Sequence, residues 1–189
     1  MNNLATLVLA EDIFRRIFLL PIDKSLLASL SSLCAGLEGS SLDNMGQFFS
    51  QLSLSDERAD EFRWEFNELF LFKPKAIPYE SAYFGQGLFS QRCASVRQSY
   101  ERAGIRRAGG EYADDYVGYE LEFLHFLGLK ALSCDKVALG ARREFISQHC
   151  GLWFSQFALN IKAANPSPEW LEFAQLFATY SEILTAQGE

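Results

Sequence analysis

A chain of 189 residues with 17 phenylalanines, 24 acidic and 17 basic residues has enough apolar bulk for one sizeable core. Its net charge of −7 argues against nucleic acid as a partner, since no basic patch is there to neutralise phosphates, and no apolar run reaches the ~18 residues needed to span a bilayer, so no stable membrane insertion is expected. Cys34, Cys93, Cys134 and Cys150 lack any C-x-x-C spacing and, with His125 and His149 alone beside them, give no metal-ligand pattern. They read as buried free thiols of a reducing compartment.

Taken in order, the elements are helical. Leu4, Leu7, Val8, Ile13, Phe14, Ile17 and Phe18 follow a helical period that Pro21 stops. Within it, Phe14-Arg15-Arg16-Ile17-Phe18 imitates a twin-arginine export signal, but Pro21, Asp23 and Lys24 interrupt the apolar run such a signal needs. It reads as a helix end, and cytoplasmic residence is expected. Asp23 caps a second helix that lasts to Gly36, and Met45–Leu52 forms a short third. Ser55, followed by Asp56 and Glu57, opens a strong helix with Ala59, Phe62, Phe66, Leu69 and Phe70 on its apolar face.

Pro74, Pro78, Gly85 and Gly87 then make residues 72–87 the longest aperiodic stretch, of a length often tied to function. Ser90 reopens a helix that closes at Gly104, and residues 104–110 read as a glycine-containing hinge. Asp114 or Asp115 is placed to cap the next helix, predicted from about Tyr116. On that helix Glu120 lies one turn above Tyr116 among apolar residues, so its carboxylate must reach a donor or border a groove that receives one. Ser133 or Asp135 starts a further helix, Gly151 breaks it, and another runs to Asn165-Pro166. Ser167-Pro168 opens the last, carrying Trp170, Phe173, Phe177, Tyr180 and Leu184. No segment alternates with a two-residue period. The class is all-α, about nine to ten helices in one domain of two lobes, 1–103 and 111–189, joined by the 104–110 hinge.

Catalytic patterns are weak. Neither His has a nucleophile signature near it, there is no G-x-x-x-x-G-K-[ST] loop, and Gly85-Gln-Gly87 is a lone G-x-G. The carboxylates Asp114, Asp115, Glu120 and Glu122 cluster at one helix start, where acidic residues usually serve the helix.

Three ordered stretches carry more: Phe66-Asn-Glu-Leu-Phe70, Pro78-Tyr-Glu-Ser-Ala-Tyr83, and Asp114-Asp-Tyr-Val-Gly-Tyr-Glu-Leu-Glu-Phe123. With Phe145-Ile-Ser-Gln-His149, Trp153, Phe157 and Asn165-Pro166 they resemble the TorD/DmsD/NarJ-type maturation chaperones of molybdenum-dependent reductases, over roughly residues 60–185. The resemblance implies a cytoplasmic helical chaperone, not an enzyme. It would bind the twin-arginine signal peptide and the immature catalytic subunit of a molybdoenzyme, assisting cofactor insertion and delaying export. No cofactor is implied for the chaperone itself beyond weak GTP binding. A slow GTP hydrolase or an accessory structural subunit of a reductase are the alternatives. In the family the acidic motif usually reads Pro-x-Asp-His; here Ala113 replaces the proline and Tyr116 the histidine.

A peptide with two guanidinium groups and an apolar run is complemented by an acidic rim beside an aromatic groove. Glu80, Asp114, Asp115 and Glu120 are the candidate rim, Phe66, Tyr79, Tyr83 and Tyr116 the candidate groove, and Pro78 and Ser81 match the family motif directly. A monomer is expected, with a domain-swapped dimer accessible through the hinge.

Overall fold

A computed structural model describes residues 4–106 and 110–187. Among these are nine α-helices: α1 (Leu4–Leu19), α2 (Lys24–Leu33), α3 (Met45–Leu52), α4 (Asp56–Phe70), α5 (Gln91–Arg102), α6 (Val117–Leu132), α7 (Lys136–Gln148), α8 (Phe154–Ala163) and α9 (Pro168–Thr185). Short 3-10 turns lie at Cys34–Leu37, Glu80–Phe84 and Cys150–Leu152. The one β feature among the described residues is an isolated antiparallel bridge between Tyr79 and Tyr116.

Local chemistry accounts for four of the nine helix starts among the described residues. The Asp23 carboxylate accepts the Leu26 N–H at 2.7 Å, Ser55 accepts from Arg58, Asp135 from Val137 and Ala138, and Ser167 from Trp170 with Pro168 at the first position. Ser90 stands at the start of α5 but makes no such bond. The α6 start differs from the sequence expectation: Tyr116 is the N-cap residue and neither Asp114 nor Asp115 caps it. Tyr116 is held extended, bridged to Tyr79 of the loop before α5, and the first helical amide, Val117 N–H, donates to the Pro78 carbonyl at 2.9 Å. A carbonyl from another segment thus does the work assigned to an aspartate.

The helix α1 is the spine. Leu7, Ala10, Ile13, Phe14 and Ile17 are fully buried. Phe14 meets Phe173, Phe177 and Tyr180 of α9, and Phe18 meets Phe66, Phe70, Tyr116 and Phe157 with ring centroids 5.6–6.3 Å apart. Against α1 lies α6, brought close by glycine: a Cβ at Gly128 would approach the Val8 side chain to 2.3 Å. The buried apolar cluster runs from Leu7 to Leu184 and includes side chains from both sides of residues 104–110. Gly104 ends α5 at φ +80°, while 107–109 of the expected hinge lie outside the described residues. Cys34, Cys93 and Cys150 are buried as expected. Cys134 is exposed, in the turn between α6 and α7, at a left-handed φ of +66°.

One ion pair is entombed in this core. Arg142 of α7 bonds both carboxylate oxygens of Glu11 on α1 and donates to the Leu124 carbonyl at 2.7 Å, while the Tyr180 hydroxyl donates to Glu11 at 3.3 Å. Four helices meet there. Breaking such a pair from one side strands a buried charge, so Glu11→Ala is expected to lower stability by about 3–5 kcal/mol in chemical denaturation. A loss under about 1 kcal/mol would mean that the pair does not hold α1 to α7 and α9.

Candidate functional site

The long aperiodic stretch is fixed at its middle by a backbone clasp to the start of α6. Pro78, with no N–H to give, offers its carbonyl to Val117; Glu80 N–H donates to the Asp115 carbonyl at 3.0 Å; and Ser81 N–H donates to Asp115 Oδ2 at 2.9 Å. The Tyr79–Tyr116 bridge lies between these bonds. Two motifs some 35 residues apart, Pro78-x-Glu-Ser and Asp114-Asp-Tyr, are therefore one local structure.

The clasp encloses charge. Glu80, Asp115 and Glu120 are each fully buried. Arg92 Nε lies 2.7 Å from Glu80 Oε1, and His149 Nδ1 is 3.0 Å from Glu80 Oε2. Trp153 Nε1–H donates to Glu120 Oε2 at 3.1 Å. So Glu120 does reach a donor, from a residue 33 positions away. Ser81 Oγ, Asp115 Oδ1 and Glu120 Oε1 are buried with no partner. Burial first, and then the nearby Glu80 charge, push the Glu120 carboxyl well above its usual range, which favours its neutral form.

The predicted acidic rim is thus corrected: Glu80, Asp115 and Glu120 do not face solvent, because the loop folds over the α6 start and supplies donors from within the chain. Asp114 is also nearly buried and pairs with Arg97 at 2.6 Å. The predicted groove divides in the same way. Phe66 is a core residue against Phe18, Phe70 and Trp170. Tyr116 is buried, donates its hydroxyl to the Phe18 carbonyl at 3.0 Å and stacks on Tyr112 with centroids 4.2 Å apart. Tyr79 and Tyr83 stay half-buried; Tyr83 packs on Trp153, donates to the Ile77 carbonyl and accepts from Asn160. Burial raises the Tyr79 hydroxyl to about 12, with the neighbouring Tyr112 adding to the effect.

What does face solvent is the next stretch of the loop. Phe84, Leu88 and Phe89 are exposed, Phe89 by 76%. Phe89 is held at φ +60°, a region that bulky residues rarely adopt. It borders a cleft of about 450 Å³ that Arg97, Glu101, Tyr112 and Asp114 also line. Arg92 lies with its guanidinium carbon 4.1 Å from the centre of the Phe84 ring.

Arg92, His149, Trp153, Phe84 and Phe89 were not singled out as site residues from sequence. His149 and Trp153 stood in a motif of the family resemblance. Nothing in the local pattern marks Arg92 or Phe89, which owe their place to the loop path. Among the described residues no group of three or more His, Cys, Asp or Glu is arranged to hold a metal ion, and no helix is long and apolar enough to cross a membrane.

The all-α fold, with its loop and acidic-helix motifs locked together around buried carboxylates, is the helical fold of the TorD/NarJ family. The chain belongs to this family: the family described as nitrate reductase delta subunit matches residues 27–159. The chaperone protein TorD of Vibrio cholerae serotype O1, in strains O395 and M66-2, is 31% identical over 107 residues, covering 52% of this chain and 49% of the relative. The chain thus spans about half the length of the relatives it matches. A crystal structure of a candidate redox enzyme maturation protein from Archaeoglobus fulgidus has the same fold, with a TM-score of 0.66 and 20% identity over 93% of both chains.

Glu120 makes one contribution to the pH dependence of stability. Its folded-state shift is upward, so the neutral carboxyl's contribution is fully present below the ordinary value of 4.5 and is lost as pH rises through the higher folded value. Glu120→Gln keeps an oxygen for Trp153 and cannot ionise. Its thermal midpoint relative to the unmodified protein should therefore rise between pH 5 and pH 8. A difference that stays flat across that range would show that Glu120 does not carry the burial cost.

Proposed function

We propose that this protein is a maturation chaperone for a redox enzyme, one that holds the twin-arginine signal peptide and immature catalytic subunit of a molybdopterin-dependent reductase until cofactor insertion is complete. Family membership and relatives named as chaperones support the general role. The observation that carries the finer reading is Phe89. A large apolar side chain in a strained backbone conformation costs about 1–3 kcal/mol, and exposing it to water gains nothing for the fold. Such a residue is explained by a partner that covers it.

The surroundings suit the chemistry of that partner. A signal peptide offers guanidinium groups followed by an apolar run, and the Phe89 cleft combines the Tyr112 ring with the Glu101 carboxylate, beside Asp114, whose partner Arg97 lines the cleft together with Arg106. The net charge of −7 draws a basic segment toward the whole surface. In this reading Pro78, Ser81, Asp115, Tyr116, Glu120 and Phe66 set the shape and position of the loop. Asp114, Tyr79 and Tyr83 stand nearer the client. The protein works in the cytoplasm as a monomer, without catalysis or a cofactor of its own, and exchange of halves through residues 104–110 is its route to dimers.

Phe89→Gly separates binding from folding. Glycine adopts positive φ freely, so the thermal midpoint should hold or rise. Affinity for a synthetic twin-arginine signal peptide should fall about tenfold, as for loss of one aromatic anchor. Unchanged affinity in calorimetry, or no binding by the unmodified protein, would contradict this function for the loop.

A further inference from the structure

Arg92 is placed against the interests of its own helix. It lies in the first turn of α5 (Gln91–Arg102), where the helix dipole disfavours a cation. Its guanidinium instead reaches out of the helix to three groups from elsewhere in the chain. The buried Glu80 carboxylate accepts from Nε at 2.7 Å and lies 2.5 Å from Nη2; the Gln148 carbonyl accepts from Nη2 at 2.5 Å; and the Phe84 ring takes the cation on its face at 4.1 Å. A carboxylate, a carbonyl and an aromatic face arranged around one planar cation make a complete recognition site for a guanidinium group.

The site also has an opening. The Arg92 side chain keeps 21% of its surface in water, and both Phe84 and Gln148 are exposed. Leu88 and Phe89, the exposed apolar residues of the loop, immediately precede the helix that carries Arg92. His149 holds the other Glu80 oxygen at 3.0 Å, so the carboxylate keeps a partner when Arg92 leaves.

We infer that Glu80, the Gln148 carbonyl and the Phe84 ring form a guanidinium-binding slot that Arg92 fills in the free protein, and that an arginine of the client's signal peptide takes the slot by displacing it. The client half of this inference rests on the chaperone reading above; the slot itself does not. Arg92 then acts as a built-in competitor. It keeps a buried carboxylate paired while no client is present, and it lowers the apparent affinity for the client by the fraction of time that it occupies the slot.

Two measurements test it. In the unmodified protein labelled with nitrogen-15, saturating twin-arginine peptide should shift or abolish the Arg92 Nε–H resonance, and the same peptide with both arginines changed to glutamine should not. In Arg92→Ala, ethylguanidinium should bind and raise the thermal midpoint while leaving that of the unmodified protein unchanged, and peptide affinity should increase roughly tenfold. An Arg92 resonance untouched by bound peptide overturns the displacement. A folded Arg92→Ala variant that takes up no ethylguanidinium overturns the slot. If Arg92→Ala does not fold even with ethylguanidinium present, the slot is overturned as well, since an occupied slot should restore the pairing. Should the unmodified protein bind no peptide while Arg92→Ala takes up ethylguanidinium, the chaperone reading and the displacement fail and the slot stands.

Discussion

Three carboxylates are enclosed at one place in this protein, and the fold around them is arranged to meet their needs. Glu80, Asp115 and Glu120 are all fully buried, yet the cations close to them are one arginine and, when protonated, one histidine. A buried ion is tolerated only when its oxygens find donors. The donors come from four separate segments: the Ser81 amide, Arg92 at the start of α5, His149 at the end of α7, and Trp153 before α8. Meeting the charge at one point therefore fixes the positions of the long loop, the α6 start and the α7–α8 corner relative to one another. Where the supply of donors runs short, at Glu120, the carboxyl is pushed toward its neutral form.

This constraint makes the loop a two-part device. From Pro78 to Ser81 it is clamped to the α6 start; from Phe84 to Phe89 it leaves the clamp and presents apolar side chains to solvent, one of them in a left-handed conformation. Rigid support beside an exposed, strained segment is the arrangement expected of a binding loop. Arg92 connects the parts, since its charge belongs to the buried cluster and its cation rests on Phe84.

Most of the fold was legible from the sequence. Asp23, Ser55, Asp135 and Ser167 mark helix starts because a side-chain cap is a local interaction, and a local interaction leaves a local pattern. The exception shows the limit of that logic. Asp114 and Asp115 look like caps, but a non-local pairing with residues 78–81 takes over the first helical amide and both carboxylates bond elsewhere. The candidate site was legible only as residues that come together, and not as a surface. The motifs containing Glu80, Asp115 and Glu120 do converge, yet whether a carboxylate faces water or a donor from within the chain depends on the path of a loop with no periodicity. Arg92 and Phe89 carry no signal for the same reason: one is placed by a partner 12 residues earlier, the other by a backbone angle.

The central claim is that the loop after the clasp is where the client is held, and hydrogen exchange tests it most directly. With a twin-arginine signal peptide at saturation, amides of residues 84–92 and of the segment around Gln148 should exchange more slowly. The exposed face of α4 around Trp64, an equally prominent aromatic on an acidic helix, should be unaffected. Protection confined to α4, with residues 84–92 exchanging as in the free protein, would contradict the account.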